Sequence, residues 1–419
     1  MISEVLEFVS LLHRRSWPRV RLEEYRRVKL RRLVRHAYDH VPYYRGLMDR
    51  AGVTPADVRE PADLLRLPVT TKADLRRAGA DALARGASDL TVLHTSGHSG
   101  VPFEVRLTSA EYRTRRLRDF RMLIGAGVRP RDRLTLLGPT RTRSSRLHRR
   151  LGLYRIEVLP GSLPLAEQLE RLRASRPDVL WAYPTVLKSL LYYAGCGLGG
   201  IVRPRLVITS SQTMEPVFRN QLLVDNPGLE IVDIYGSAEA GRIAATCSSR
   251  LGLHLEDDAL IVELLEDGRP VPPGRPGSTV LTCLDQFAMP LIRYEQGDLC
   301  RLIPGDCPCG RQVPRIAPPL GRRADMVTLP SGRKISCFAL DVALRDERAL
   351  RQYRFVQRSL HSIEAELCFS HTPPPEKLRA VQQLLEAQLE EGMRVDVRLV
   401  PEPHFDGLKF KVFVSELAS

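Results

Sequence analysis

The 419-residue chain has no uninterrupted apolar run approaching the roughly 18 residues of a membrane-spanning helix, which excludes a helical membrane protein. Its first residues, MISEVLEFVSLLHRR, carry acids where a secretory leader carries a basic segment, and no small-residue cleavage site follows. A cytoplasmic protein with no membrane partner is expected. Cysteine is sparse: eight are scattered along the chain and only Cys307 and Cys309 lie close together, which argues against a disulfide framework. Lysine is scarce too, seven among 63 basic residues, so arginine carries the formal net charge of +14 and the bias reads as genome composition. Arginine gathers at Arg113 to Arg121 and in TRTRSSRLHRR, Thr140 to Arg150, densely enough to hold anions. No zinc-finger, RNA-recognition or helix-turn-helix pattern accompanies these clusters. Nucleic-acid binding is therefore ranked behind solvated basic faces and docking of an anionic substrate or acidic partner. Internal repeats and low-complexity tracts are absent.

What is present suits a large core, since 43% of the residues are hydrophobic and the length allows two or three domains. From Glu4 to Tyr44 the apolar residues recur with helical spacing, and Pro42 ends the second helix. Leu67 to Arg76, LPVTTKADLR, places Thr70 or Thr71 as the cap of a short helix with Asp74 in its first turn. Further on, apolar runs at Leu134, Val179 to Trp181, Leu206 to Ile208 and Ile231 to Tyr235 alternate with helix-like segments at Pro164 to Ser175 and Pro184 to Ala194. This is the pattern of an α/β fold with parallel sheets wrapped by helices. From Leu255 short strands with Gly/Pro turns predict a barrel-like or antiparallel subdomain. A boundary falls at Gly321 to Asp325, and the last hundred residues have the α+β texture of a small separate domain. Domains are thus expected at 1–321 and 326–419, with a hinge at 322–325.

One loop stands out for its chemistry. A run ending in Thr91, Val92 and Leu93 reads as a buried strand, then Thr95, Ser96, Gly97, His98, Ser99 and Gly100 form a hydroxyl-rich turn before Phe103 resumes strand character. Glycines let backbone approach an anion, and hydroxyls with successive N–H groups donate to phosphate oxygens. The bland alternative is an ordinary turn with satisfied hydroxyls. Four further segments follow in order: DIYGSAEAG from Asp233, PLIRYEQGDL from Pro290, CPCGR with PRI and GR from Cys307 to Arg322, and DGLKFKV from Asp406.

Together these segments resemble the adenylate-forming superfamily of acyl-CoA ligases, adenylation domains and luciferases, and within it the phenylacetate-CoA ligase branch with its coenzyme F390 synthetase-like relatives. VPYYR, LPVTTKADLR and CPCGR carry the closer likeness, which covers nearly the whole chain. The resemblance implies a large AMP-binding domain and a small mobile lid domain, with ATP held where they meet. It assigns Thr95, Ser96, Gly97, Ser99 and Gly100 to the phosphates; Tyr235, Gly236 and Ser237 to adenine and its surroundings; Glu239 to nucleotide-bound Mg²⁺; and Asp298 and Arg322 to ribose or phosphate. Lys409 becomes the candidate for the essential lysine of the small domain. Because Leu408 intervenes between Gly407 and Lys409, Lys411 is its rival, and a solvated strand face is the plain reading of both. Plain readings also exist for Glu239 as a helix-start acid, Asp298 as a turn residue and Arg322 as an interdomain salt bridge.

Cys307 and Cys309 offer two thiolates on a tight turn, and Cys247 with His254 offers a thiolate and an imidazole, a set that suits structural Zn²⁺; the alternative is buried free thiols and a surface histidine. The expected reaction is ATP-dependent activation of a carboxylic acid, aryl or arylacetic by the resemblance, to an acyl-adenylate. Transfer to a thiol follows, from coenzyme A or from the phosphopantetheine of an acyl carrier protein; an amine or hydroxyl acceptor stays open, as does a homodimer. Several departures from the branch's usual residues, His98, Val101, Gln212 and Ala324, motivate a second reading, a non-catalytic nucleotide-binding module.

Overall fold

The computed structural model describes residues 2–95, 103–138, 152–322, 326–344, 347, 349–401 and 411–417. The fold is α/β. It divides into two compact units, the first made of 1–127 with 234–319 and the second of 128–233 with 320–419.

The first unit begins with helices α1 (Ile2–Arg14) and α2 (Arg19–His40), the latter burying Leu22, Leu30, Leu33, Val34 and Ala37 on one stripe. Pro42 does end α2, but it also opens α3 (Pro42–Ala51), which the spacing did not predict. Proline lacks an N–H and is preset for the first helical turn, so one residue serves both purposes. Helix α4 (Lys72–Ala78) is capped by Thr71, whose hydroxyl accepts from the Asp74 N–H while the Asp74 carboxylate accepts from the Thr71 N–H.

Strand β1 (Leu90–His94) pairs with β2 (Glu104–Thr108) as an isolated antiparallel ribbon. The expectation of a buried strand is corrected here: β1, in a ribbon of only two strands, is half-exposed, with Val92 41% exposed. Helix α5 (Ser109–Gly125) follows, capped by a Thr108–Glu111 box.

In the second unit, strands β3 (Arg133–Gly138), β4 (Arg155–Pro160), β5 (Val179–Ala182) and β6 (Leu206–Ser210) form a parallel run in the order β4-β3-β5-β6. The helices Leu165–Ser175, Pro184–Ala194 and Pro216–Asp225 bury Leu172, Leu187 and Phe218 with Leu137, Leu180 and Val207 of these strands. The expected strand and helix alternation is present at each of these places.

Strand β7 (Glu230–Ser237) runs through the division, which falls between Asp233 and Ile234. Back in the first unit, β8 (Gly241–Thr246), β9 (Leu253–Leu255), β10 (Leu260–Glu266), β11 (Arg269–Pro270), β12 (Pro276–Cys283), β13 (Tyr294–Ile303) and β14 (Arg315–Ile316) are antiparallel, ordered β8-β9-β14-β13-β12-β10-β11. Their core joins Ile243, Leu281 and Tyr294 to Phe103, Val105 and Leu107.

The end of the chain returns to the second unit. There β15 (Met326–Thr328) and β16 (Lys334–Ser336) form a hairpin, and β17 (Leu350–Ser359), β18 (Ser362–Phe369), β19 (Arg394–Leu399) and β20 (Phe413–Ser415) form a sheet ordered β19-β18-β17-β20. Val217 of the helix Pro216–Asp225 shares the core of this segment with Val327, Leu340 and Phe355.

The first arginine cluster is divided: Arg113 and Arg116 are exposed, whereas Arg118 and Arg121 are buried. Arg121 of α5 is 2% exposed and donates to the Leu11 carbonyl at 3.0 Å, to both Asp258 carboxylate oxygens at 2.8 Å, and to Glu256. Arg118 of the same helix pairs with Asp285. Burial pushes the Asp258 carboxyl up, but the guanidinium groups of Arg118 and Arg121 outweigh it and hold the group well below the usual carboxylate range. Arg121→Met takes the direct partner from buried Glu256 and leaves Asp258 to Arg14 at 3.7 Å and the charge of Arg118, and breaking such a buried pair costs about 3–5 kcal/mol. Urea titration at pH 7 is expected to show that loss as a lower midpoint. A depressed folded pKa contributes stability above the unfolded value near 3.9 and loses it as pH falls, so the gap between variant and wild type should shrink below about pH 4.

Candidate active site

Three residues of the YGSAE segment, spaced by two, meet three residues of the RYEQGD segment, also spaced by two, in antiparallel order. Tyr235 donates its hydroxyl to Asp298 at 2.7 Å, Ser237 donates to Gln296 at 3.1 Å, and Tyr294 donates to Glu239 at 3.3 Å. The β13 side is shaped by a bulge: the register with β12 slips between Ser278 and Val280, and Gly297 takes φ +83°. A bulge re-aims side chains. Here it lies at Gln296 to Asp298. Tyr235 belongs to the core, and burial followed by the Asp298 charge raises its hydroxyl well above the ordinary range, so it stays a hydrogen-bond donor that orients Asp298.

Glu239 sits in the three-residue turn that joins β7 to β8, not at a helix start. Its side chain is 5% exposed, and Lys72, the first residue of α4, reaches it at 2.8 Å. Lys72 also lies over the Phe103 ring, 5.8 Å from its centre. Backbone bonds from Thr70 N–H to the Arg293 carbonyl, 2.8 Å, and from Glu295 N–H to the Thr70 carbonyl, 2.9 Å, hold the start of α4 against β13. Lys72, Tyr294 and Gln296 were not singled out from the sequence. Their partners are remote in the chain, and only the scarcity of lysine hinted at the first. A single protein carboxylate fits Mg²⁺, which takes one or two protein oxygens beside nucleotide phosphates.

Thr95 closes the β1–β2 hairpin: its N–H donates to the Phe103 carbonyl and its hydroxyl accepts from the Phe103 N–H, both at 2.9 Å. Ser96, Gly97, His98, Ser99, Gly100 and Val101 lie outside the described residues, as do Ala324, the second arginine cluster and Lys409. Lys411 is exposed and precedes β20, and Arg322 is exposed.

Gln212, one of the departures noted in the sequence, has a definite place. Its side-chain oxygen accepts from the Thr185 hydroxyl at 2.8 Å and from the Thr185 N–H at 3.3 Å, in the first turn of the helix Pro184–Ala194. An amide oxygen serves an orphan N–H as a carboxylate does. Trp181, Ala182, Pro184, Val186 and Leu187, at the end of β5 and the start of the helix Pro184–Ala194, are core residues, whereas the half-buried Tyr183 ring lies against Gly138, where an added Cβ would stand 3.3 Å away.

A second constellation gathers Cys247, His254, Cys307 and Cys309, with all four ligand atoms within 4.8 Å of one another. The Cys247 and Cys307 sulfurs are 3.6 Å apart, far from the ~2.05 Å of a disulfide and close to the ~3.8 Å that two sulfurs ~2.3 Å from a tetrahedral zinc would show. His254 Nε2 faces Cys309 Sγ at 3.1 Å, while Nδ1 lies 3.2 Å from the Val313 carbonyl. Donation from Nδ1 leaves the Nε2 lone pair for a metal, the orientation that ligating histidines use. Burial, then the Arg311 charge, lowers His254 to about 4, so the ring is neutral at pH 7. The backbone N–H of Cys309 and the neighbouring thiols outweigh burial and bring Cys307 down to about 7.

No protein-family profile matches the chain. The phenylacetate-coenzyme A ligase of Thermus thermophilus is 32% identical over 327 residues, 74% of this chain and 73% of that protein. The enzyme of the same name from Escherichia coli is 30% identical over 314 residues, 72% of this chain and 71% of its own. The chain belongs to the phenylacetate-coenzyme A ligase family. It is accordingly an adenylate-forming acid–thiol ligase, and the non-catalytic reading is not favoured. Among solved structures, a 2-hydroxyisobutyryl-CoA ligase in complex with 2-HIB-AMP superposes with a TM-score of 0.82 at 22% identity, covering 96% of this chain and 91% of its own. The fold of that ligase therefore extends over almost the full length of this chain. Among the described residues no helix is long and apolar enough to cross a membrane.

Proposed function

We propose that the chain joins an aryl or arylacetic acid to coenzyme A. The supporting observation is the side-by-side meeting of Tyr235, Ser237 and Glu239 with Asp298, Gln296 and Tyr294, segments far apart in sequence that carry the family likeness. The acid class follows the relatives' name, phenylacetate-coenzyme A ligase. In the first half-reaction a carboxylate oxygen attacks the α-phosphorus of ATP and pyrophosphate leaves. In the second, the thiol sulfur attacks the acyl carbon, its proton is lost and AMP leaves. Asp298, oriented by Tyr235, accepts from the ribose hydroxyls, and Glu239 takes the nucleotide's Mg²⁺. The metal neutralises phosphate charge when bound. Thr95, Ser96, Gly97, Ser99 and Gly100 donate to the phosphates, Arg322 serves ribose or phosphate, and residues 326–419 form the small domain that carries Lys409. The cysteine and histidine cluster holds Zn²⁺ in a structural role.

Pyrophosphate release with a panel of aryl, arylacetic and aliphatic acids, with and without coenzyme A, tests this reading. Turnover should require an aromatic acid, and thioester should form only with coenzyme A; turnover confined to aliphatic acids would overturn the assigned class. Lys409→Ala should slow adenylate formation on the order of a hundredfold while nearly sparing thiol capture from preformed adenylate, since it removes a preorganised charge donor. If Lys411→Ala shows that selective defect instead, Lys411 takes the role.

A further inference from the structure

The turn that carries Glu239 is held from behind by a residue of the arginine-rich helix α5. The Arg115 guanidinium donates to three successive carbonyls: Nη2 to Ser237 at 2.9 Å and to Ala238 at 2.8 Å, and Nη1 to Glu239 at 3.4 Å. Three carbonyl dipoles converging on one point repel one another, so a tight turn keeps this shape only around a cation or several N–H donors. The backbone around it is moulded to the guanidinium. Gly241 takes φ +77°, and a Cβ there would stand 2.8 Å from Arg115 Nε. At Gly236 a Cβ would come within 2.4 Å of the Gly241 carbonyl, so both ends of the turn require glycine.

One helical turn further along α5, Asp119 accepts from Arg242 of β8 at 3.0 Å, which fixes the same helix face against the strand leaving the turn. Burial lowers the Arg115 pKa and Asp119 raises it, and a guanidinium remains charged at neutral pH. The side chain of Glu239 leaves the turn on its own course to Lys72 and Tyr294. Backbone and carboxylate are thus set by separate partners.

We infer that Arg115 is a positioning residue for adenylation, its guanidinium clamping the Ser237–Glu239 carbonyls so that the Glu239 carboxylate is presented in one place. The inference rests on the assignment of Glu239 to nucleotide-bound Mg²⁺. Arginine is needed because its planar fork addresses several carbonyls at once, whereas a lysine ammonium on a flexible stem cannot reproduce the fork.

The test compares full-length wild type, Arg115→Lys and Arg115→Met. Hydrogen exchange of the amides from 237 to 241 should quicken about tenfold or more in Arg115→Met, with the β10–β12 hairpin unchanged, as for local opening. In pyrophosphate release, the Mg²⁺ concentration for half-maximal rate should rise about tenfold while KM for the acid stays within about twofold, the split expected when one interaction and not general folding is lost. Arg115→Lys should fall between, and added methylguanidinium should partly restore Arg115→Met. A folded Arg115→Met with wild-type exchange at 237 to 241 and wild-type Mg²⁺ dependence overturns the inference. Should that variant fail to fold, Arg115→Lys carries the same two measurements. Should the wild type release no pyrophosphate with any acid, the ligase reading fails, and the exchange comparison still decides whether Arg115 clamps the turn.

Discussion

Glu239→Gln is expected to slow pyrophosphate release by about 10²–10³-fold while the melting temperature stays within a few degrees of wild type, because the change removes a charge and little else. Glutamine has the same length, and its amide oxygen can keep the hydrogen bonds from Tyr294 and Lys72 that hold the carboxylate now. The ion pair itself adds little to folding. With the Lys72 side chain 32% exposed, solvent screens the pair, and such pairs contribute about 1 kcal/mol or less. Catalysis would have more at stake, since a carboxylate that is 5% exposed and aimed by its neighbours would meet a metal–nucleotide in a fixed place. The measurement is the initial rate across a range of Mg²⁺ and ATP concentrations with the preferred acid. A rate within threefold of wild type would remove Glu239 from the reaction and leave it as a turn residue. Lys72→Met should act in the opposite sense on metal affinity, because it frees the carboxylate from its competitor for that oxygen.

The parts of this fold that were legible in the sequence are those whose signals are local. The helix Pro184–Ala194 announces itself by a proline in its first turn and a Gly195 just beyond its end, and β18 shows its extent by its own apolar run. The Thr71 cap of α4 needed only Asp74 three residues on. The cysteine and histidine set was readable because its members come as two short pairs. Helix α5 is the contrary case. Its arginines looked like a solvated or anion-binding face, yet Arg115, Arg118 and Arg121 answer to carbonyls and carboxylates between residues 237 and 285, and Arg121 to the Leu11 carbonyl as well, and no window along the chain contains both halves of those pairs. The same holds for Lys72 with Glu239. β1 misled for another reason: an apolar run tells that side chains seek cover but not how much the fold supplies, and in its two-stranded ribbon with β2 the strand stays half-exposed.

The second large effect follows from the proposal that the cysteine and histidine cluster holds zinc. Purified protein is expected to carry one zinc per chain, and Cys309→Ser to lose the zinc and about 3 kcal/mol or more of stability, which for a unit of this size lowers the melting temperature by roughly 6–12 °C. The reason lies in the strands that the cluster ties together. β9 has three residues and β14 two, paired to each other only at Arg315 with His254 and Ile316 with Leu253, too few ladder bonds to hold two strands by themselves. His254 is in β9, Cys247 follows β8 directly, and Cys307 and Cys309 lie in the loop that enters β14. A metal bound to all four would therefore close β8, β9 and the 307–309 turn into one piece. Arg315 braces the same loop through the carbonyls of Leu251, Gly305 and Asp306, but carbonyl bonds to one side chain cannot replace four metal–ligand bonds. Removing the metal with a chelator should quicken hydrogen exchange at 247–256 and 305–316 first. It should then lower the adenylation rate, because β8 is the strand that leaves the Glu239 turn. Elemental analysis, melting curves of Cys309→Ser and exchange with and without chelator check the sequence of effects. Protein that contains no zinc when produced with the metal in the medium, together with a Cys309→Ser variant that melts with the wild type, would mean that the four residues are buried thiols and a neutral histidine without a metal.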